Sequence, residues 1–164
     1  MKINPSRDSQ AITPFDVLLI QDSFRVIEQQ HSVATDRFFQ ELFSYDASLK
    51  KHFPADRWRR EEGLIEILRR IVRHLNAPEN IVADLHWLAR GHPAYVMSNY
   101  HHLYFGAALF SMLEGVLGAK FKVQYAAWFK VFQQVITGMR TNVALAEGQT
   151  AVANERSFAH PTAA

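Results

Sequence analysis

The sequence predicts an all-α protein, and three observations carry that prediction. Apolar residues recur at spacings of three and four along nearly all of the chain between residues 15 and 143. No stretch alternates apolar and polar residues in the way a half-buried strand would. Pro14, Pro78 and Gly118 stand where periodic stretches begin or end. About seven or eight helices of the resulting lengths, packed around one core, make an orthogonal helical architecture.

At 164 residues, 48% hydrophobic and 21% charged, the chain is an ordinary globular composition in one domain's length. There is no room for a catalytic domain beside a separate nucleotide-binding one. There are no cysteines, which excludes disulfides, thiolate metal sites and cysteine nucleophiles. A net charge of +2 leaves no nucleic-acid footprint. The one basic cluster, Arg57, Arg59, Arg60, Arg69, Arg70 and Arg73, is interrupted by Glu61, Glu62 and Glu66 and reads as a solvated helix face. No apolar run approaches the roughly 20 residues that cross a bilayer, and the N-terminus lacks an apolar signal core. The expectation is therefore a cytoplasmic protein with no membrane and no nucleic-acid partner.

Residues 1–14 read as a polar extension, 15–146 as the domain and 147–164 as a loose tail. The first helix spans about 15–29, with Val17, Leu18, Ile20, Phe24 and Ile27 on one face. The second starts near Ser32, a candidate N-cap, and runs to Tyr45 with Ala34, Phe38, Phe39, Leu42 and Phe43 inward. A short turn over 47–52 leads to Phe53 and Pro54. The next helix, about 58–75, carries Leu64, Ile67, Leu68, Ile71 and Leu75. Ile81, Leu85 and Leu88 mark a helix over about 79–91, before a loop at 93–98. A long helix over about 99–117 turns Leu103, Phe105, Leu109 and Leu113 inward, and Gly118 closes it. The last, about 123–145, carries Trp128, Val131, Phe132, Val135, Met139 and Val143.

Of the eight histidines, His92 stands apart because it continues the apolar stripe of Ile81, Leu85 and Leu88. A buried imidazole needs partners for both nitrogens. Periodicity alone leaves two readings open, a core histidine bonded to carbonyls or a ligand. No HExxH, P-loop, G-x-S-x-G or G-x-G-x-x-G motif is present. His101 and His102 are adjacent, so on a helix they point about 100° apart and do not readily share an ion.

The order of elements resembles the bacterial single-domain globins and the haem domain of flavohaemoglobins, over about residues 15–143. Three features carry the likeness. They are Leu42-Phe43 with Phe53-Pro54 ten residues on, then Leu88-x-x-x-His92-x-x-Tyr95 with Gly106-x-Ala108-Leu109, then Leu113-Glu114 and Leu117-Gly118 followed by Trp128 to Met139. The resemblance implies a globin fold around haem b (iron protoporphyrin IX), with His92 matching the proximal iron ligand. Phe53 matches the aromatic that packs on the porphyrin, although it reads equally as a core ring. Leu88, Tyr95 and Phe105 match the haem wall or edge.

On the distal side, Phe39 stands where those relatives carry a tyrosine, Arg60 where they carry glutamine, and Leu64 matches the apolar residue one turn on. An arginine donates and never ligates, which implies an open sixth position and favours ligands of anionic character. Whether Arg60 points into the pocket or outward to a propionate or surface carboxylate stays open. On the proximal side, His102 and Val143 stand where the family has a tyrosine–glutamate pair, so the pull on the His92 proton is weakened. Pro93 lacks an N–H, which loosens the helix carrying His92.

The leading expectation is a haem protein that reversibly binds dioxygen, carbon monoxide, nitric oxide or a small anion. A second is nitric oxide dioxygenation to nitrate, which would need an external reductase. A third is a haem-free globin-like module for protein partners. A monomer and a homodimer are both compatible with the sequence.

Overall fold

The computed structural model of the chain describes residues 11–77, 80, 81, 83 and 99–138. Among the described residues every regular element is helical, so the protein is all-α. In chain order these are α1 (Pro14–Gln29), α2 (His31–Tyr45), a 3-10 turn over Ala47–His52, α3 (Arg57–Arg73) and α4 (Asn99–Leu117). A second 3-10 turn, Gly118–Lys120, leads straight into a helix over 121–138, here α5.

Each start has a local cause. Thr13 caps α1: its hydroxyl accepts from the Asp16 N–H at 3.2 Å, and the Asp16 carboxylate accepts from the Thr13 N–H at 2.8 Å. Pro14 then supplies the first helical residue, where its missing N–H costs nothing. Gln30 ends α1 and begins α2 at once, so α2 starts at His31 and Ser32 is not its cap. Asp46 caps the first 3-10 turn through Ser48, and Asp56 caps α3 through Trp58, both at 2.8 Å. Gly118, at φ +57°, lets the chain leave α4 in a conformation that a side chain would strain.

α2 packs most extensively on α4, with further packing of α2 on α3 and of α1 on both α3 and α4. The core is Ile20, Phe24 and Ile27 of α1, Ala34, Phe38, Phe39 and Leu42 of α2, Leu64, Leu68 and Ile71 of α3, and Met112 and Leu113 of α4. Trp128 and Val131 of α5 close it. Two expected core residues are in solvent: Leu18 is 59% exposed and Leu103 68%. The buried face of α1 runs through Val17 and Ile20 without Leu18, and that of α4 through Ala108 and Met112.

Glycine sets one close approach. A Cβ on Gly106 would stand 2.7 Å from the Phe132 ring, so α4 and α5 meet there only because position 106 has no side chain. Polar ties hold α5 to α1. Trp128 Nε1 donates to Ser23 Oγ at 2.8 Å inside the core, and Ser23 in turn donates to the Ile20 carbonyl. Lys130 Nζ donates to Asp16 at 2.8 Å. Burial pushes the Asp16 carboxyl up, but the bonds from Lys130 and Thr13 outweigh it and hold it below the usual carboxylate value.

The helical run over 101–138 is long and apolar enough, by length and composition, to cross a membrane. The sequence expectation is that no apolar run approaches that length; one such helix differs from it but does not by itself make a membrane span. The same run supplies Met112, Leu113 and Trp128 to the core, and core helices pass this test of length and composition too.

Candidate functional site

The residues singled out for a pocket come from four separate elements. Phe39 lies on α2, Phe53 just beyond the 3-10 turn, Arg60 and Leu64 on α3, and Phe105 on α4. The fold brings the rings together. Phe39 stands edge-on to Phe53 at 5.2 Å between centroids, and Phe53 lies 6.0 Å from Phe105. Phe38 joins Phe39 at 5.1 Å and Phe105 at 5.7 Å, and Phe43 packs on Phe39 and Phe53 at 5.5 and 5.9 Å. Such offset and edge-on pairs add about 0.5–1.5 kcal/mol each beyond their buried area.

The cluster has a sealed side and an open side. Phe38 and Phe39 are buried, whereas Phe43, Phe53 and Phe105 are only half-buried against the core. Leu64 is buried one helical turn beyond Arg60 on α3. Phe53 is placed by the capped turn: its N–H donates to the Lys50 carbonyl at 3.3 Å, which ends the 3-10 turn in extended backbone.

Arg60 sits at the rim of this cluster. Its Nη1 donates to the carbonyls of Pro54 and Ala55 at 2.9 and 2.8 Å, and its guanidinium carbon lies 5.8 Å over the Phe39 ring. Of the two directions left open by the sequence, the side chain takes neither outright. It bridges the chain just after Phe53 and covers Phe39 with positive charge. Three other arginines of the basic cluster are also engaged. Arg57 grips Asp36 through Nε and Nη2 and lowers its pKa, Arg69 bonds Glu28 and Glu66, and Arg70 bonds Glu66.

Leu88, His92 and Tyr95, and with them the expected iron ligand and one side of the pocket, lie outside the described residues. So do Pro93 and Val143, while His102 is half-buried on α4. The described wall can still be judged by its chemistry. It consists of aromatic and aliphatic carbon with one guanidinium at the rim, which suits a flat apolar cofactor bearing anionic edge groups.

A second feature was missed by the sequence reading. Glu28, His31, Trp58, Glu61 and Arg69 line a shallow surface cleft where α1 and α2 meet α3. His31 Nδ1 pairs with Glu61, and Ser32 Oγ donates to the Glu61 carboxylate at 3.0 Å. This is not a nucleophilic set. The serine donates to the carboxylate, and the imidazole nitrogen it faces at 3.4 Å is the one already turned to Glu61. Among the described residues, no group of three His, Asp or Glu side chains could hold a metal ion. Only a tertiary pairing of residues about thirty positions apart creates the cleft, so periodicity carries no signal for it.

Comparison with known proteins returns no matching family and no matching curated protein.

Proposed function

We propose that the protein adopts a globin fold, holds haem b through His92 and reversibly binds dioxygen or another diatomic gas. One observation carries this reading. Phe39, Phe53, Phe105 and Arg60, the positions that the globin resemblance picks out, stand in one cluster although 66 residues separate the first from the last. Three rings drawn from three separate elements, with a guanidinium at their rim, make the kind of apolar wall that a haem pocket asks for.

In this reading Phe53 and Phe105 pack on the macrocycle and Leu64 fills the distal wall. Phe39 excludes water without offering a hydrogen bond. Arg60 is tethered by the Pro54 and Ala55 carbonyls, so its charge is held at the rim, where it would face the anionic edge groups of the haem. A bound haem would supply the open iron position that a gas takes.

An absorption spectrum of the purified protein, reconstituted with haem, tests the proposal. A Soret band that shifts on reduction with dithionite and again on adding carbon monoxide is the expected result. A protein that takes up no haem under these conditions would leave a haem-free interaction module instead.

A further inference from the structure

We propose that Lys50 and Arg60 form a two-cation clamp, each taking one of the two propionate carboxylates that iron protoporphyrin IX carries on one edge. The proposal rests on the haem reading and adds to it a second cation, on the 3-10 turn, that the sequence does not single out.

Both cations are fixed to the backbone on either side of one ring. The Lys50 carbonyl accepts the Phe53 N–H at 3.3 Å. Arg60 donates from Nη1 to the carbonyls of Pro54 and Ala55, the two residues that follow Phe53. Their charged groups stand over neighbouring rings. Lys50 Nζ is 5.8 Å from the centre of Phe43, and the Arg60 guanidinium carbon is 5.8 Å from that of Phe39. Those two rings lie 5.5 Å apart, and both pack on Phe53. Phe43 and Phe53 belong to the half-buried, open side of the cluster. A cation held over a ring face is positioned there, but its charge is not neutralised.

Charge selects the ligand. Among the described residues neither Lys50 nor Arg60 bonds a carboxylate, whereas Arg57, Arg69, Arg70 and Lys130 each do. The carboxylates nearby are turned elsewhere. Asp46 accepts from the Ser48 N–H and faces His101 at 3.7 Å, and Asp56 accepts from the Trp58 N–H. Asp36 is bound by Nε and Nη2 of Arg57, and Arg60 acts on it only at longer range. Arg60 keeps Nε and Nη2 to donate, because the carbonyls use only Nη1. An apolar wall with two uncompensated positive charges at its open side fits a flat apolar ligand with two negative groups on one edge. A porphyrin with two propionates has that form. Arg60 offers its carboxylate a planar fork and Lys50 a single mobile point charge in solvent, so the Arg60 half of the clamp is the stronger.

The test follows haem release from the full chain into an excess of a haem-scavenging apoprotein, read from the Soret band. Two ligands are loaded in parallel: haem, and haem dimethyl ester, whose carboxyl groups carry no charge. Lys50→Met removes the ammonium and keeps the backbone carbonyl that Phe53 uses. It should release haem about fivefold faster than wild type, and Lys50→Arg should restore the wild-type rate. Arg60→Met should release haem about tenfold faster, and the double variant by about the product, because each cation serves its own carboxylate. With the ester, wild type and Lys50→Met should release at one rate. Circular dichroism verifies that each variant is folded; should Lys50→Met fail, Lys50→Gln replaces it with the same expected gap. Equal release of haem by wild type and Lys50→Met overturns the proposal and leaves the haem reading standing. A gap that persists with the ester overturns it too, since Lys50 would then act by packing on Phe43. A double variant no faster than Arg60→Met overturns the assignment of one carboxylate to each cation. A wild type that takes up no haem overturns the proposal and the haem reading together.

Discussion

The two ring assemblies of this protein use the same contacts and reach opposite ends. In the inner one, Phe38, Phe39, Phe53 and Phe105 pack with centroids between 5.1 and 6.0 Å. In the outer one, Phe110, Phe121, Tyr125 and Phe129 pack between 5.1 and 6.2 Å. The inner rings come from elements far apart in sequence and converge on a cation; the outer rings come from two consecutive helices, and two of them, Tyr125 and Phe129, lie half in solvent. Ring–ring geometry alone therefore says little about role. What distinguishes the two is how many elements converge and where the charge lies.

The sharpest contrast is expected from truncating one ring in each. Phe39→Ala removes a buried ring with three aromatic neighbours and should cost about 3–5 kcal/mol in denaturant unfolding. A loss below about 1 kcal/mol would mean that the inner cluster is not a packed core.

Outside both assemblies, Asp16→Asn should cost about 1.5–3 kcal/mol by weakening the charge-assisted bonds from Lys130 and Thr13. The sign with pH follows from the lowered Asp16 pKa. The unfolded chain binds that proton more readily, so the carboxylate's contribution is complete above about pH 4 and fades as pH falls through its folded value. Stability measured from about pH 5 downward should fall less steeply in Asp16→Asn than in wild type. An equal slope would show that Asp16 is not held charged by these partners.

Gly106→Ala, which drives a methyl toward Phe132, should cost about 1–3 kcal/mol, whereas Gly63→Ala meets nothing within 4 Å and should stabilise by about 0.4–1 kcal/mol. Thermal melts of the pair check the close approach that joins the outer assembly to α4. Thr35 Oγ1 is buried with no hydrogen-bond partner, so Thr35→Val should leave stability unchanged or raise it by up to about 1 kcal/mol. Phe129→Ala should be the smallest change, within about 0.5 kcal/mol in the same melts. A large loss there would make the outer rings part of the core.

Much of this was legible in the sequence. Three- and four-residue spacing placed α1, α2, α3 and α4 within a few residues, and Gly118 marked the end of α4. The errors have physical causes. Leu18 and Leu103 are apolar, but residue type does not decide which flank of a helix stripe is covered. Ser32 looks like a cap, yet Gln30 already joins two nearly continuous helices, which frees the Ser32 hydroxyl for Glu61. The Ser23–Trp128 and Asp16–Lys130 bonds span more than a hundred residues, and no local pattern encodes them. At the candidate site, periodicity showed only that Phe39 and Phe105 face inward. Selecting them with Phe53 and Arg60 needed the order of motifs along the chain, and the tether from Arg60 to two carbonyls was visible in neither.

The central claim is that an iron porphyrin is anchored by the imidazole of His92 beside the Phe39–Phe53–Phe105 wall. Titrating haem into the apoprotein and following the Soret band in wild type and in His92→Gly tests it most directly. The account predicts saturation at one haem per chain in wild type, loss of the native spectrum in the variant and its recovery on adding free imidazole. An identical spectrum in His92→Gly without imidazole would contradict it.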